Sequence, residues 1–325
     1  MTQSRFMKRI TRYLLYSSML IILIVFSLLI GVQDVLPTDI FSLNDIQKTV
    51  LLTARIPRTL SLILAGSTLA VCGLLMQHLT QNKFVSPTTA GTLSSARFGI
   101  IITMIFFNQS NVFSQTLIAF IFSVLGTTFF TTFLRTVKLK NTIMVPLVGM
   151  MFGNIIHSFG NFLAVQYEIV QNVSSWLQGN FSLIISSNYR LLFLSVPLLI
   201  IISSLAHYFT IMGLGKDVSV ELGIPYDRLE LIGIVLVSLA TTAVILTVGN
   251  IPFVGIIIPN LVAIKKGDHF GKIILPVAFS GALFLLVTDT LSRILIFPYE
   301  IPISVIIGAL GSMVFIFLLL RGEKA

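Results

Sequence analysis

The sequence predicts an all-α, polytopic membrane protein of about ten transmembrane helices, folded as a single domain over residues 1–325. Composition carries the first part of that expectation. Hydrophobic residues make up 55% of the chain and charged residues 10%, against roughly 25% charged in an ordinary soluble domain. So few polar side chains cannot coat a soluble fold of this length, and so apolar a chain does not stay disordered. Pattern carries the second part. Long apolar runs such as Tyr13 to Val32 and Ile273 to Val287 suit helices that need about 20 residues to cross a bilayer, not the short alternating strands of a membrane β-barrel. Charge placement carries the third. With the N-terminus inside, 15 of the 21 Lys and Arg fall on inner segments and 5 on outer ones, the bias expected of cytoplasmic loops. Both termini are then expected in the cytoplasm. The net charge of +9 is read as topology, and nucleic acid is not an expected partner.

The first span covers 13–32 and follows Arg5, Lys8, Arg9 and Arg12. It is too long for a signal-peptide core and no A-x-A site follows, so it is expected to be retained. Further spans are expected over 59–79, 89–107, 113–134, 142–165, 190–209 and 231–249. The eighth, 252–264, is the weakest. Thirteen residues cannot cross a core of about 30 Å at about 1.5 Å per residue, and Gly249, Pro252, Gly255 and Pro259 interrupt it. A broken or re-entrant helix is expected there, a form tolerated only where protein or a wet cavity shields it. Without this crossing the Lys265–Lys272 loop would lie outside and the charge pattern would fail. The last spans cover 273–296 and 302–320.

Motifs for chemistry are missing. Gly267-Asp268-His269-Phe270-Gly271-Lys272 lacks the spacing of a phosphate-binding G-x-x-x-x-G-K-[ST] loop. No H-E-x-x-H, no G-x-S-x-G and no Cys pair occurs, and the single Cys72 excludes a disulfide framework within the chain. No catalytic residue, cofactor or bound metal is expected.

The residues that stand out are charges in unusual places. Arg55, Arg58 and Arg293 lie at outer helix ends, against the positive-inside trend. They either pair within the chain or form a docking patch for acidic side chains of an external partner. Asp289 and Arg293 are four residues apart on one helix and share a face, so they are expected to form an intramembrane ion pair. The inner segment 210–230, with Gly215, Lys216, Asp217, Glu221, Leu222 and Gly223, is either a connector at the interface or a small cytoplasmic helix pair presented to another subunit. Asn154, His157 and Asn161 put polar groups at i, i+3 and i+7 of the fifth span and are candidates for lining a passage. Small-residue stripes, among them Gly66, Ala70 and Gly73, Gly149, Gly153 and Gly160, and Gly308 and Gly311, are read as close helix contacts. Arg97 lies inside the third span with no assigned role.

From Arg55-Ile56-Pro57-Arg58-Thr59-Leu60, through Ala65-Gly66, Leu69-Ala70, Gly73, Gln77, Asn82, Pro87 and Gly91, the sequence resembles the FecCD family. These are permease subunits of ABC importers for iron–siderophores, haem and vitamin B12. Leu214-Gly215 and Leu222-Gly223 resemble the family's paired L-G segment. Gly249, Phe253-Val254-Gly255 and Pro259 resemble a third block, and Asp289 and Arg293 its D-x-x-x-R. Glu300 and Pro302 match a last block less closely. The wording around Gln81–Thr92 is similar to the catecholate-siderophore branch, including petrobactin- and anguibactin-like systems. The sequence departs from the family at Lys83, Phe84, Asn260 and Arg97.

The resemblance implies the ten-helix fold of type II ABC importers in a bacterial cytoplasmic membrane. It implies a dimer with a second permease, identical or not, two cytoplasmic ABC ATPases and an extracytoplasmic solute-binding protein. In the family the arginines matching Arg55, Arg58 and Arg293 meet acidic residues of the binding protein. The segment matching Gly215 to Gly223 contacts the ATPase. The expected function is translocation of Fe(III)–siderophore driven by a separate ATPase. An ion-coupled secondary transporter, a membrane enzyme and an assembly scaffold are the alternatives.

Overall fold

The computed structural model describes residues 18–30, 44–107, 112–137, 144–176, 179–184 and 189–322. Arg5, Lys8, Arg9, Arg12, Lys138, Lys140, Lys324 and the two ends of the first expected span lie outside the described residues. The described regular structure is helical. Among the described residues five helices are long and apolar enough to cross a membrane, and a bent pair makes a sixth. Among the described residues each expected span meets helical structure, the sixth as a bent pair. The helices are α1 (Ser18–Leu29), α2 (Asp45–Val50), α3 (Ile56–Thr80), α4 (Thr92–Phe106), α5 (Val112–Thr136), α6 (Met144–Gln166), α7 (Val170–Trp176), α8 (Ser195–Ser204), α9 (Ala206–Met212), α10 (Lys216–Glu221), α11 (Tyr226–Val248), α12 (Val254–Lys266), α13 (Phe270–Ile294) and α14 (Ile303–Gly322).

α3 is the central post. A helix apolar on every side is one that neighbours surround, and α3 is buried along nearly its whole length, from Pro57 to Leu79. Its glycines set the crossings. A Cβ on Gly66 would lie 2.4 Å from the carbonyl oxygen of Gly281 on α13, and one on Gly73 would lie 2.0 Å from that of Gly255 on α12. Removing side chains at these points lets backbones touch. A second group forms from α4, α5 and α6. Thr92 and Thr127 share a hydroxyl hydrogen bond of 2.7 Å, and the small face of α6 at Gly149, Gly153 and Gly160 seats Thr89, Ser94 and Phe98. α11 ties the groups together, touching α3 on one side and α5 on the other. On the α5 side the Thr242 hydroxyl donates to Ser123 at 2.8 Å.

Two expectations are corrected. The sixth span, read as one helix over 190–209, starts as a 3-10 turn (Tyr189–Leu194) and bends by 63° between α8 and α9. The adjacent Ser203 and Ser204 hydroxyls donate back to the Leu199 and Ile201 carbonyls, a competition that bends helices. Of the two readings of the inner segment, connector or small helix pair, the second is corrected to one short helix, α10. The eighth span is a half-length helix as expected. It runs over 13 residues after an extended lead from Gly249 to Phe253, both of which have positive φ.

Candidate functional site

Charged side chains gather at the two ends of the bundle. One end joins the C-terminus of α1, the N-terminus of α3, the C-terminus of α13 and the loop that follows it. The last carbonyls of α1 lack partners within their helix, as at any helix C-terminus, and for Ser27, Leu28 and Leu29 two arginines supply the donors. Arg55 Nη1 donates to Leu28 (2.7 Å) and Leu29 (3.0 Å). Arg293 Nη1 donates to Ser27 and Ile30, both at 2.9 Å, and its Nη2 to the Ser27 hydroxyl at 2.9 Å. A cation there also complements the negative end of the helix dipole.

Asp289, fully buried, holds two of the arginines together. Its Oδ1 accepts from Arg58 Nε (3.0 Å) and Nη2 (2.7 Å). Its Oδ2 accepts from Arg293 Nε at 2.9 Å and from Arg293 Nη2. Arg58 reaches on to Glu300, its Nη1 donating at 2.8 and 3.1 Å, and Glu300 also accepts from the Ser182 hydroxyl. Burial opposes ionisation of Glu300, but Arg58 and Ser182 outweigh it and hold the carboxyl below the usual carboxylate range. Two cations and two carboxylates thus neutralise one another at this end, with Arg58 and Glu300 at its surface (side chains 11% and 27% exposed).

The Asp289–Arg293 pair stands where the spacing put it. The three outer arginines are brought together, but bonded within the chain rather than bare on the surface, with Arg55 and Arg293 buried and Arg58 nearest the surface. Sequence reasoning missed Glu300 as their partner and missed the carbonyls of α1, because main-chain acceptors carry no residue signature.

The other end carries α10. Gly215 (φ +112°) and Gly223 (φ +78°) make the turns that bracket it, conformations that side chains disfavour. Ser219 alone is buried, donating to Gly215 at 2.6 Å. Leu214, Val218 and Leu222 are exposed at i, i+4 and i+8, by 40% or more, with Asp217 and Glu221 exposed beside them. Lys216 Nζ donates to Asp227 at 2.9 Å, and Arg135 of α5 to the same carboxylate at 3.1 Å. Both cations lie over the Tyr226 ring, and Arg135 also pairs with Glu230. Arg135, Lys216, Tyr226 and Glu230, with Leu214 and Val218, line a pocket of about 770 Å³ against α10.

Asn154 and His157 are exposed and Asn161 is half-buried, on the flank of α6 next to its glycine face. With Asn154 and His157 open to the outside among the described residues, any passage there needs a second wall.

Known proteins resemble the chain over most of its length. The FecCD transport family is matched over residues 19–321. The petrobactin import system permease YclN of Bacillus subtilis is 47% identical over 303 residues, 93% of this chain and 96% of that protein. The ferric-anguibactin transport system permease FatD of Vibrio anguillarum is 38% identical over 275 residues, 85% of this chain and 88% of that protein. An inward-facing metal-chelate type ABC transporter shares the fold, with a TM-score of 0.76 at 24% identity, covering 94% of this chain and 97% of the other.

Proposed function

The chain belongs to the FecCD transport family, and from that membership we propose that it is a permease subunit of an ABC importer that carries Fe(III)–siderophore across a bacterial cytoplasmic membrane. It is a multi-pass membrane protein that works as one component of an ABC transporter. The similarity to petrobactin and anguibactin permeases carries the choice of cargo, and favours a catecholate-type siderophore. The partners proposed are a second permease, two cytoplasmic ATPases and an extracytoplasmic binding protein.

In this reading α10, within the cytoplasmic segment 210–230, contacts the ATPase through Gly215, Lys216, Asp217, Glu221, Leu222 and Gly223. What supports it is the exposed stripe of Leu214, Val218 and Leu222, which a soluble partner would cover, and the flanking acids, which give that contact a sign. Closure of the ATPases moves α10 against the pocket behind it, and transport requires that this contact differ between two states. Reversing both acids, Asp217→Arg with Glu221→Arg, is expected to weaken ATPase copurification by roughly tenfold or more and to stop uptake in step. Intact copurification and uptake would remove α10 from this role.

Docking of the binding protein is proposed at the arginine end. Arg55 and Arg293 act there by holding α1 in place, and Arg58, nearest the surface, exchanges Glu300 for an acid of the partner. Arg58→Glu is expected to weaken docking. Glu300→Gln frees Arg58 of its competitor and is expected to tighten docking a few-fold at low salt. Docking that Glu300→Gln leaves unchanged would contradict the exchange even if Arg58→Glu fails to fold. Asn154, His157 and Asn161 are proposed to face the passage, with the second permease as the opposite wall.

A further inference from the structure

One strong charge has no part in this scheme. Arg97 sits on α4 inside an apolar span, half-buried. Its Nε is sealed from solvent without a partner, and the guanidinium makes no ion pair or hydrogen bond among the described residues. An arginine inside a membrane is costly and normally meets a counter-charge, so the source of that charge is a physical question about this chain.

The helix register places Arg97 beside His157. Along the α4–α6 contact, Gly153 faces Ser94, and Gly160 faces Phe98 and Ile101. Arg97 and His157 fall between those two contacts. Turning at about 100° per residue, both emerge on the same flank of the helix pair, and they lie within electrostatic reach of each other. Asn154 and Asn161 follow on that flank of α6.

Three sources of negative charge can be compared. Lipid headgroups are far away. His157 is 13 residues from Met144 and nine from Gln166, the ends of α6, about 20 and 14 Å along the helix, beyond a snorkelling side chain. A second copy of this chain has little to offer. Of its 12 acidic residues, Asp289 and Glu230 lie within membrane helices and are paired with arginines. Asp227, at the first turn of α11, is bonded to Lys216 and Arg135, and the others lie outside the apolar spans. Of what remains, a non-identical second permease or the cargo, the open flank favours the cargo. The flank is open, with Asn154 and His157 exposed, and ionised catecholate oxygens leave an Fe(III) chelate with net negative charge.

We propose that Arg97, with His157 beside it and Asn154 and Asn161 along the same flank, forms a station that binds an anionic ferric chelate partway across the membrane. The proposal rests on the importer reading and adds to it a residue that selects cargo by charge. One guanidinium and a few neutral polar groups make a weak site, which suits a passing cargo.

The test uses the whole importer, with ATPase and binding protein, in proteoliposomes supplied with an anionic ferric catecholate. Arg97→Gln is expected to raise the KM for uptake roughly tenfold, and Arg97→Lys to stay within about threefold of the unaltered protein. The KM should rise with salt more steeply in the unaltered importer than in Arg97→Gln, which keeps only the salt dependence of docking. An unchanged KM in Arg97→Gln, or an Arg97→Lys variant as impaired as Arg97→Gln, would overturn the station. Failure of the unaltered importer to carry any ferric chelate would instead overturn the importer reading itself.

Discussion

Asp289→Asn is expected to leave little folded protein in the membrane. The Asp289 carboxylate has no exposed surface and accepts from two arginines at once, Arg58 on Oδ1 and Arg293 on Oδ2. An amide oxygen could keep one of these partners, but the nitrogen would face a guanidinium that has nothing to accept with. One positive charge would be left over in a buried cluster that is otherwise neutral. Breaking a buried pair by removing one partner costs about 3–5 kcal/mol. The damage also spreads, because Arg293 is aimed at α1 by its bonds to Asp289. Thermal unfolding in detergent, followed by size-exclusion chromatography, reads the effect. Adding Arg293→Gln to Asp289→Asn should recover part of the loss, since it removes the stranded charge. An unchanged melting temperature in Asp289→Asn would show that the carboxylate is not the keystone of this end.

Gly73→Val should be nearly as damaging, for a steric reason. A Cβ at Gly73 would fall 2.0 Å from the Gly255 oxygen and 2.4 Å from its Cα. Those atoms are backbone and cannot rotate away, so α3 and α12 would have to separate. Overpacking in a well-packed interior costs about 1–3 kcal/mol, occasionally more, and here the strain falls where the half-length α12 is braced on the central helix. Even Gly73→Ala should lower the melting temperature. Gly308→Ala is the matched control, because a Cβ there meets nothing within 4 Å, and it should be silent. Equal effects from Gly73→Ala and Gly308→Ala would mean that the glycine crossings do not set the helix packing.

The two variants also mark what was legible in the sequence. Apolar runs are local and repeat along the chain, so the spans could be read directly, the short eighth one included. Gly66 and Gly73 were visible as a stripe on one face, but the stripe does not say that Gly281 and Gly255 are the residues they meet. Gly308 belongs to a similar stripe and has open space in front of it, so small-residue spacing alone overstates contact. Asp289 and Arg293 could be paired because four residues of helix bring them together. Arg58 and Glu300 could not, since 242 positions separate them and only the fold closes that gap. The bend between α8 and α9 was hidden in a run as apolar as any straight span, with two serines as its only signal. Arg97 was noticed as an oddity, but its neighbour His157 became visible only when α4 and α6 were laid side by side.

The proposed role of this chain is the permease subunit of an ATP-driven importer for iron chelates. The most direct measurement is uptake of radiolabelled Fe(III)–siderophore by proteoliposomes holding the permease, its P-loop ATPase and its binding protein. Uptake is expected to need ATP and all three components, and to stop when Asp217 and Glu221 are both reversed to Arg. Uptake that proceeds without ATPase or ATP, driven by an ion gradient alone, would contradict it.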